Sequence, residues 1–99
     1  MEKVVKIQPA IAKNKKYQAI VKSGSQNRKV NFGHSKYPQY KDTTGLKKFS
    51  KMDHNDEERR QNYFQRHSGV PTKTEALKKE KQKAQGKITP KILAHTYLW

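Results

Sequence analysis

Ninety-nine residues with 31% hydrophobic content and a formal net charge of +15 allow at most one small domain, with little apolar surface to offset chain entropy. The chain has no cysteine, which excludes disulfides and a thiolate zinc site, and no apolar run near the roughly 18 residues that a bilayer span requires. Nineteen of its twenty-three cations are lysines, mobile hydrated point charges suited to diffuse attraction toward phosphate or acidic protein surfaces; base-edge readout usually recruits arginine's planar fork.

An independent, well-packed core is not expected from this composition, so order should depend on a larger assembly that grips the chain along its length. The start, Met1-Glu2-Lys3-Val4-Val5-Lys6, has no apolar segment of secretory length, and a soluble protein made in the cell interior is expected.

In chain order, residues 1–15 read as a basic N-terminal arm, with one extended stretch at Val4, Val5 and Ile7 interrupted by Pro9 and little structure of its own. Tyr17–Lys22 reads as a strand, Ser23–Asn27 as a turn and Arg28–Phe32 as a second strand on which Val30 and Phe32 share a face, making a β-hairpin. Gly33–Tyr40 follows as a loop in which Pro38 pushes Tyr37 toward an extended conformation. Asp42–Gly45 turns the chain again, and Leu46–Met52 is a short helix or a turn.

The stretch from Met52 to Gly69 differs from the rest, holding four of the eight acids, three of the four arginines and two of the four histidines. Asn55 is placed to cap a helix beginning near Asp56, with Glu58 answering it as a capping box. Asp56, Glu57 and Glu58 then lie at the positive end of the helix dipole, and Arg66 and His67 at the negative end. Gly69 suits the left-handed position after the last turn, and Pro71 prevents continuation. On this helix Arg60, Tyr63, Phe64 and His67 share one face with Arg59 and Arg66 beside them, and Asp56 is within reach of Arg59 or Arg60. That face is too polar for an ordinary core helix and reads as a protein-docking surface formed by Arg59, Arg60, Tyr63, Phe64, Arg66 and His67.

Thr72 and Glu75 open a second capping-box helix over Ala76–Gln85 that ends at Gly86, and its few apolar residues predict a surface helix. Lys73, Lys78, Lys79, Lys81, Lys83 and Lys87 on or beside it read either as anion or nucleic-acid contacts or as a solvated face. Thr89 and Pro90 fit the cap and first position of a short terminal helix, whose Ile92, Leu93, Tyr97, Leu98 and Trp99 pack back onto the hairpin or into a partner. The fold class is α+β, a small single domain with three segments: an arm (1–15), a hairpin plus central helix (16–69), and a Lys-rich helix with an aromatic tail (70–99).

Chemistry has few candidates. His54, His67, Asp53 and Asp56 lack the compact spacing of a metal site, and Asp53-His54-Asn55 lacks the further histidine of a metal-dependent nuclease. No nucleophile elbow or phosphate-binding glycine loop is present, so neither an enzyme nor a cofactor is expected. Tyr37, Tyr40, Tyr63 and Phe64 are either stacking platforms for unpaired bases or the chain's only core aromatics.

The run Arg28-Lys29-Val30-Asn31-Phe32-Gly33-His34-Ser35, the tyrosines Tyr37 and Tyr40, and the helix pattern His-x-Asp-x-x-Arg-Arg-x-x-Tyr-x-x-Arg-His from His54 to His67 resemble small basic proteins encoded by nucleocytoplasmic large DNA viruses. The aromatic close from Pro90 to Trp99 is also similar, whereas the lysine-rich insertion from Lys73 to Lys87 departs from that pattern. The resemblance bears on origin more than on mechanism; with the low apolar content, the length and the lack of chemistry, the first expectation is a non-enzymatic virion structural protein, a minor capsid or cement component docking between larger capsid subunits. The alternative is a sequence-nonspecific nucleic-acid-binding protein that helps package a viral genome through DNA or RNA phosphates, and a ribonucleoprotein component is a third, weaker reading.

Overall fold

Two glycine-bounded hydrophobic stretches and their upstream partner build an antiparallel sheet in the computed structural model, which describes residues 2–99. Strand β1 (Glu2–Pro9) pairs with β2 (Lys15–Ser23), and β2 with β3 (Gln26–His34), in the order β1-β2-β3. The β2–β3 loop is only Gly24-Ser25, because Gly24 at φ 63° takes the positive φ that a two-residue hairpin loop demands at its first central position. The hairpin therefore extends further toward its tip than a turn spanning Ser23–Asn27 would allow.

The expected N-terminal arm is instead an edge strand of this sheet. Val4 and Ile7 are three apart, so a regular strand would place them on opposite faces; a bulge at Val5 resets the alternation, and they pair with Val21 and Ala19 on the core side. The bulge conceals the period-2 pattern from a sequence reading. Tyr17, Ala19, Val21, Val30 and Phe32 continue the same face.

After an irregular segment with a one-turn helix at Ser50–Met52, three α-helices follow: α1 (Glu57–Ser68), α2 (Lys73–Ala84) and α3 (Pro90–Tyr97). The start of α1 lies one residue later than expected. Asn55 sits at φ 51°, in the left-handed region that asparagine tolerates, and Asp56 becomes the cap, accepting from the backbone N–H of Glu58 at 3.0 Å and Arg59 at 3.2 Å. Gly69 at φ 72° ends the helix as expected. Thr72 and Thr89 cap α2 and α3, with Pro90 in the first turn of α3.

Helix α3 lies against β3, and Leu93 and Leu98 close the sheet-side core. Below it Phe64, Ala76 and Ile92 are buried among the three helices. The chain thus forms a core of its own, with a radius of gyration of 13.2 Å against about 13 Å for a folded chain of this length. Bulky aromatics and hydrogen-bonded polar groups replace the missing aliphatics. Lys16, only 2% exposed, donates from Nζ to the Tyr37 carbonyl at 2.6 Å and to Gln39 Oε1. Gln39 Nε2 in turn donates to the Phe49 carbonyl at 2.8 Å and Asp53 Oδ1 at 2.6 Å. Burial holds the Lys16 ammonium down at about 8, with Asp42 and Asp53 opposing the drop.

The connecting loop is stitched to the tail. Lys41 N–H donates to the Leu98 carbonyl at 3.0 Å and Thr43 N–H to the Tyr97 carbonyl at 2.9 Å, so the tail packs onto the hairpin side of its own chain.

Candidate functional site

Helix α1 carries the polar stripe that sequence singled out, and the structure divides it. Phe64 is 1% exposed and belongs to the core. The Tyr63 ring stacks on Trp99 at 4.0 Å and 3° between planes. Arg60 lies over the Tyr40 ring at 4.5 Å, donates from Nε to the Trp99 carbonyl at 2.8 Å and pairs with Glu57 at 3.4 Å. Three of the six residues expected to dock a partner therefore face the chain's own tail, because α3 and Trp99 supply the amphipathic counterpart that the stripe requires. Arg59, Arg66 and His67 remain on the surface.

Beneath the stripe a polar network joins all three helices. Tyr63 Oη lies 2.9 Å from His95 Nδ1, His95 Nε2 lies 2.8 Å from Ser68 Oγ, and Ser68 Oγ donates to Glu80 Oε2 at 2.8 Å. The Glu80 carboxylate can only accept, so the serine proton points to it and His95 Nε2–H donates to Ser68; Nδ1 is then free to accept from the Tyr63 hydroxyl. One proton direction satisfies every member. Burial holds the His95 imidazole neutral, down at about 4, against the pull of Glu80. Burial, reinforced by Glu80, also pushes the Tyr63 hydroxyl up. In this arrangement the serine receives a hydrogen bond from the imidazole, the reverse of the polarity that activates a nucleophile. The cluster is a structural lock.

The lysines of α2 also divide. Lys73 Nζ donates to the Thr96 carbonyl at 3.0 Å and Lys79 Nζ to the Ser68 carbonyl at 2.8 Å, binding α2 to its neighbours. These two are clamps, not free anion contacts. Lys78, Lys81, Lys83 and Lys87 are exposed.

The surface half of α1 forms one wall of a groove of about 890 Å³. Arg59, Asn62, Tyr63, Arg66 and His67 line that wall; Lys91, Ala94, Leu98 and Trp99 form the floor; Lys15, Lys16, His34 and Tyr37 stand opposite. Five of these residues are cations and none is an acid. Lys16 is buried, however, and Lys91 Nζ donates to the His67 carbonyl at 3.1 Å and lies 3.9 Å from Glu80. Lys15, Arg59 and Arg66 are therefore the exposed cations of the groove left without an ion-pair partner among the described residues. Tyr37 is 65% exposed, and its ring is backed by His34 at 4.4 Å and 25°, which leaves its other face open at the mouth of the groove. His67 is held below its ordinary value by burial and then by Lys91 and Arg66, and His54 by burial and then by Arg59.

Sequence reasoning missed Lys15, Lys91 and His34 as members of this groove, because they lie on three separate elements that only the tertiary packing brings together. Among the described residues no three His, Asp or Glu side chains converge as metal ligands. No helix of the described residues is long and apolar enough to cross a membrane.

Comparison with curated proteins and with solved structures finds no match. Residues 5–67, from β1 to the last turn of α1, match the protein-family profile described as a family of unknown function (DUF5754), and the chain belongs to that family.

Proposed function

We propose that this is a non-enzymatic nucleic-acid-binding protein that holds a single-stranded segment in the groove between α1, α3 and the end of the hairpin, without reading its sequence. The observation that carries the reading is the groove's three exposed cations unpaired among the described residues, Lys15, Arg59 and Arg66, beside a backed, exposed tyrosine and with no acid in the lining. Cations placed along a channel neutralise phosphates, and an aromatic face open on one side stacks any base. No pair of arginines is held in a fork aimed at one point, so recognition of a base edge is not part of the proposal.

Fluorescence anisotropy with labelled single-stranded oligonucleotides of different sequence, over a range of salt, tests the reading. Affinity should fall with a log-log slope of about −0.7 per phosphate contact, and R59Q/R66Q should flatten that slope by about 1 to 2. Tyr37→Ala should weaken single strands by about 1–3 kcal/mol while leaving duplex binding nearly unchanged. Binding that is independent of salt, or untouched by these variants, would refute it.

The resemblance to proteins of large DNA viruses supports a second reading, a virion component that docks between larger capsid subunits. Its contact surface would be Arg59, Arg66, His67 and the exposed Tyr37, since Arg60, Tyr63 and Phe64 are engaged within the chain. Retention on particles emptied of nucleic acid would favour this reading over genome packaging.

A further inference from the structure

The side of the sheet turned away from α3 carries a pattern that the core does not require. In cross-strand register it shows Lys3 opposite Lys22 and then Asn27, Lys6 opposite Ile20 and then Lys29, and Gln8 opposite Gln18 and then Asn31. All four lysines are exposed. Like charges directly opposite on a sheet destabilise it, and no acid stands in any of the three rows to relieve the repulsion. The nearest carboxylate, Glu2, is committed to Arg28 at 2.6 Å and to the Ile88 N–H at 2.7 Å. The amide row is already closed on itself, Gln8 Nε2 donating to Gln18 Oε1 at 2.8 Å and Gln18 Nε2 to Asn31 Oδ1 at 3.1 Å.

We propose that this outer face is a second polyanion surface, and that one chain bridges two nucleic-acid segments, one in the groove and one across the sheet. The groove half of the bridge rests on the function proposed above; the sheet half stands on the register alone. Strands about 4.8 Å apart place Lys6 and Lys29, on either side of β2, roughly 10 Å from one another, and a two-residue step adds about 7 Å along the strand. Four mobile ammonium groups on that grid meet successive phosphates of a backbone lying across the sheet. The surface has no cleft and no aromatic platform, so it engages phosphates and not bases, and it accepts a duplex as readily as a single strand. Side chains alternate across a strand, so this face points away from the core side that α3 covers. The two surfaces share no residue, on a molecule 21 Å across its shortest axis.

Donor-labelled and acceptor-labelled single-stranded oligonucleotides, mixed with the full chain, test the bridge by energy transfer, with sedimentation reporting how many protein chains each complex holds. The wild type should give transfer with one protein chain per pair. K3Q/K6Q/K22Q/K29Q changes only exposed positions and removes their mutual repulsion; it should melt at or above the wild-type temperature, and it should still bind one strand yet lose transfer. Its affinity for duplex should lose about 3 to 4 units of salt slope, the loss of four phosphate contacts. Transfer that survives in this variant, wild-type binding without transfer, or bridged species containing two protein chains would each overturn the proposal. If R59Q/R66Q binds as the wild type does while the sheet variant loses duplex binding, the groove reading fails and the sheet site stands.

Discussion

Replacing His95 by glutamine should remove a defined part of the acid sensitivity of this fold. His95 is 0% exposed and joins α3 to α1 through Tyr63 and Ser68, with Glu80 of α2 completing the chain. Its imidazole titrates at about 4 in the folded chain against 6.5 for a free side chain. The folded state therefore binds fewer protons than the unfolded state in that window. Stability from this group is complete above the unfolded value and is lost as pH falls toward the folded one. At 1.36 kcal/mol for each unit, the loss comes to about 3 kcal/mol, a large fraction of the roughly 5–15 kcal/mol available to a domain. Urea unfolding at a series of pH values reads it directly: with a slope near 1.5 kcal/mol/M, the wild-type midpoint should fall by about 2 M between about pH 7 and about pH 4. His54 and His67 contribute in the same direction, so the informative quantity is the difference between wild type and H95Q, whose amide cannot take up the proton. An H95Q midpoint that falls with pH as steeply as the wild type would refute the reasoning.

Gly33 adopts φ 77°, and a Cβ there would meet Leu98 Cδ1 at 2.8 Å and Lys16 Cβ at 3.2 Å, so G33A should cost about 2–3 kcal/mol and lower Tm by about 10 °C or more in a thermal melt. Leu93, 1% exposed between sheet and helices, should cost about 2–5 kcal/mol on truncation to alanine, measured by denaturant unfolding. A phosphate seated between Lys91 and Arg66 would offset the charges that depress His67, so nucleic-acid binding should raise that imidazole's pKa and tighten as pH falls from about 8 to about 6. NMR titration of His67 with and without oligonucleotide checks the shift, and a value that stays put would place the phosphate elsewhere.

The acids explain why so basic a chain can still be compact. Glu2, Asp42, Asp53, Asp56, Glu57 and Glu80 are all spent on internal hydrogen bonds or helix capping. Asp42 holds the Tyr17 hydroxyl and the Thr44 amide; burial pushes its carboxyl up, but these hydrogen bonds outweigh it and leave the group below its ordinary value. The acids that stay exposed, Asp56, Glu57, Glu58 and Glu75, lie at the starts of α1 and α2, so the negative surface charge is confined to those two helix ends.

What the sequence by itself determined was local. Capping residues, the left-handed glycine after α1 and the proline opening α3 are short-range signals; with the alternation of the hairpin strands they locate the elements within about three residues, the largest miss being α2, which starts at Lys73 and not Ala76. Helical spacing put Arg59, Arg66 and His67 on one face with Arg60, Tyr63 and Phe64, but it could not tell which of the six stay exposed. Tertiary packing decided the rest. A bulge at Val5 hid the first strand by breaking its alternation, and the apolar partner of the α1 stripe lay some thirty residues away in α3 and Trp99. Whether a given lysine clamps a carbonyl, as Lys73, Lys79 and Lys91 do, or lines an open groove without such a partner, as Lys15 does, depends on what stands a few ångströms from its Nζ. Residue type sets the charge of a side chain, but burial and neighbours set its role, and those exist only once the sheet and helices have met.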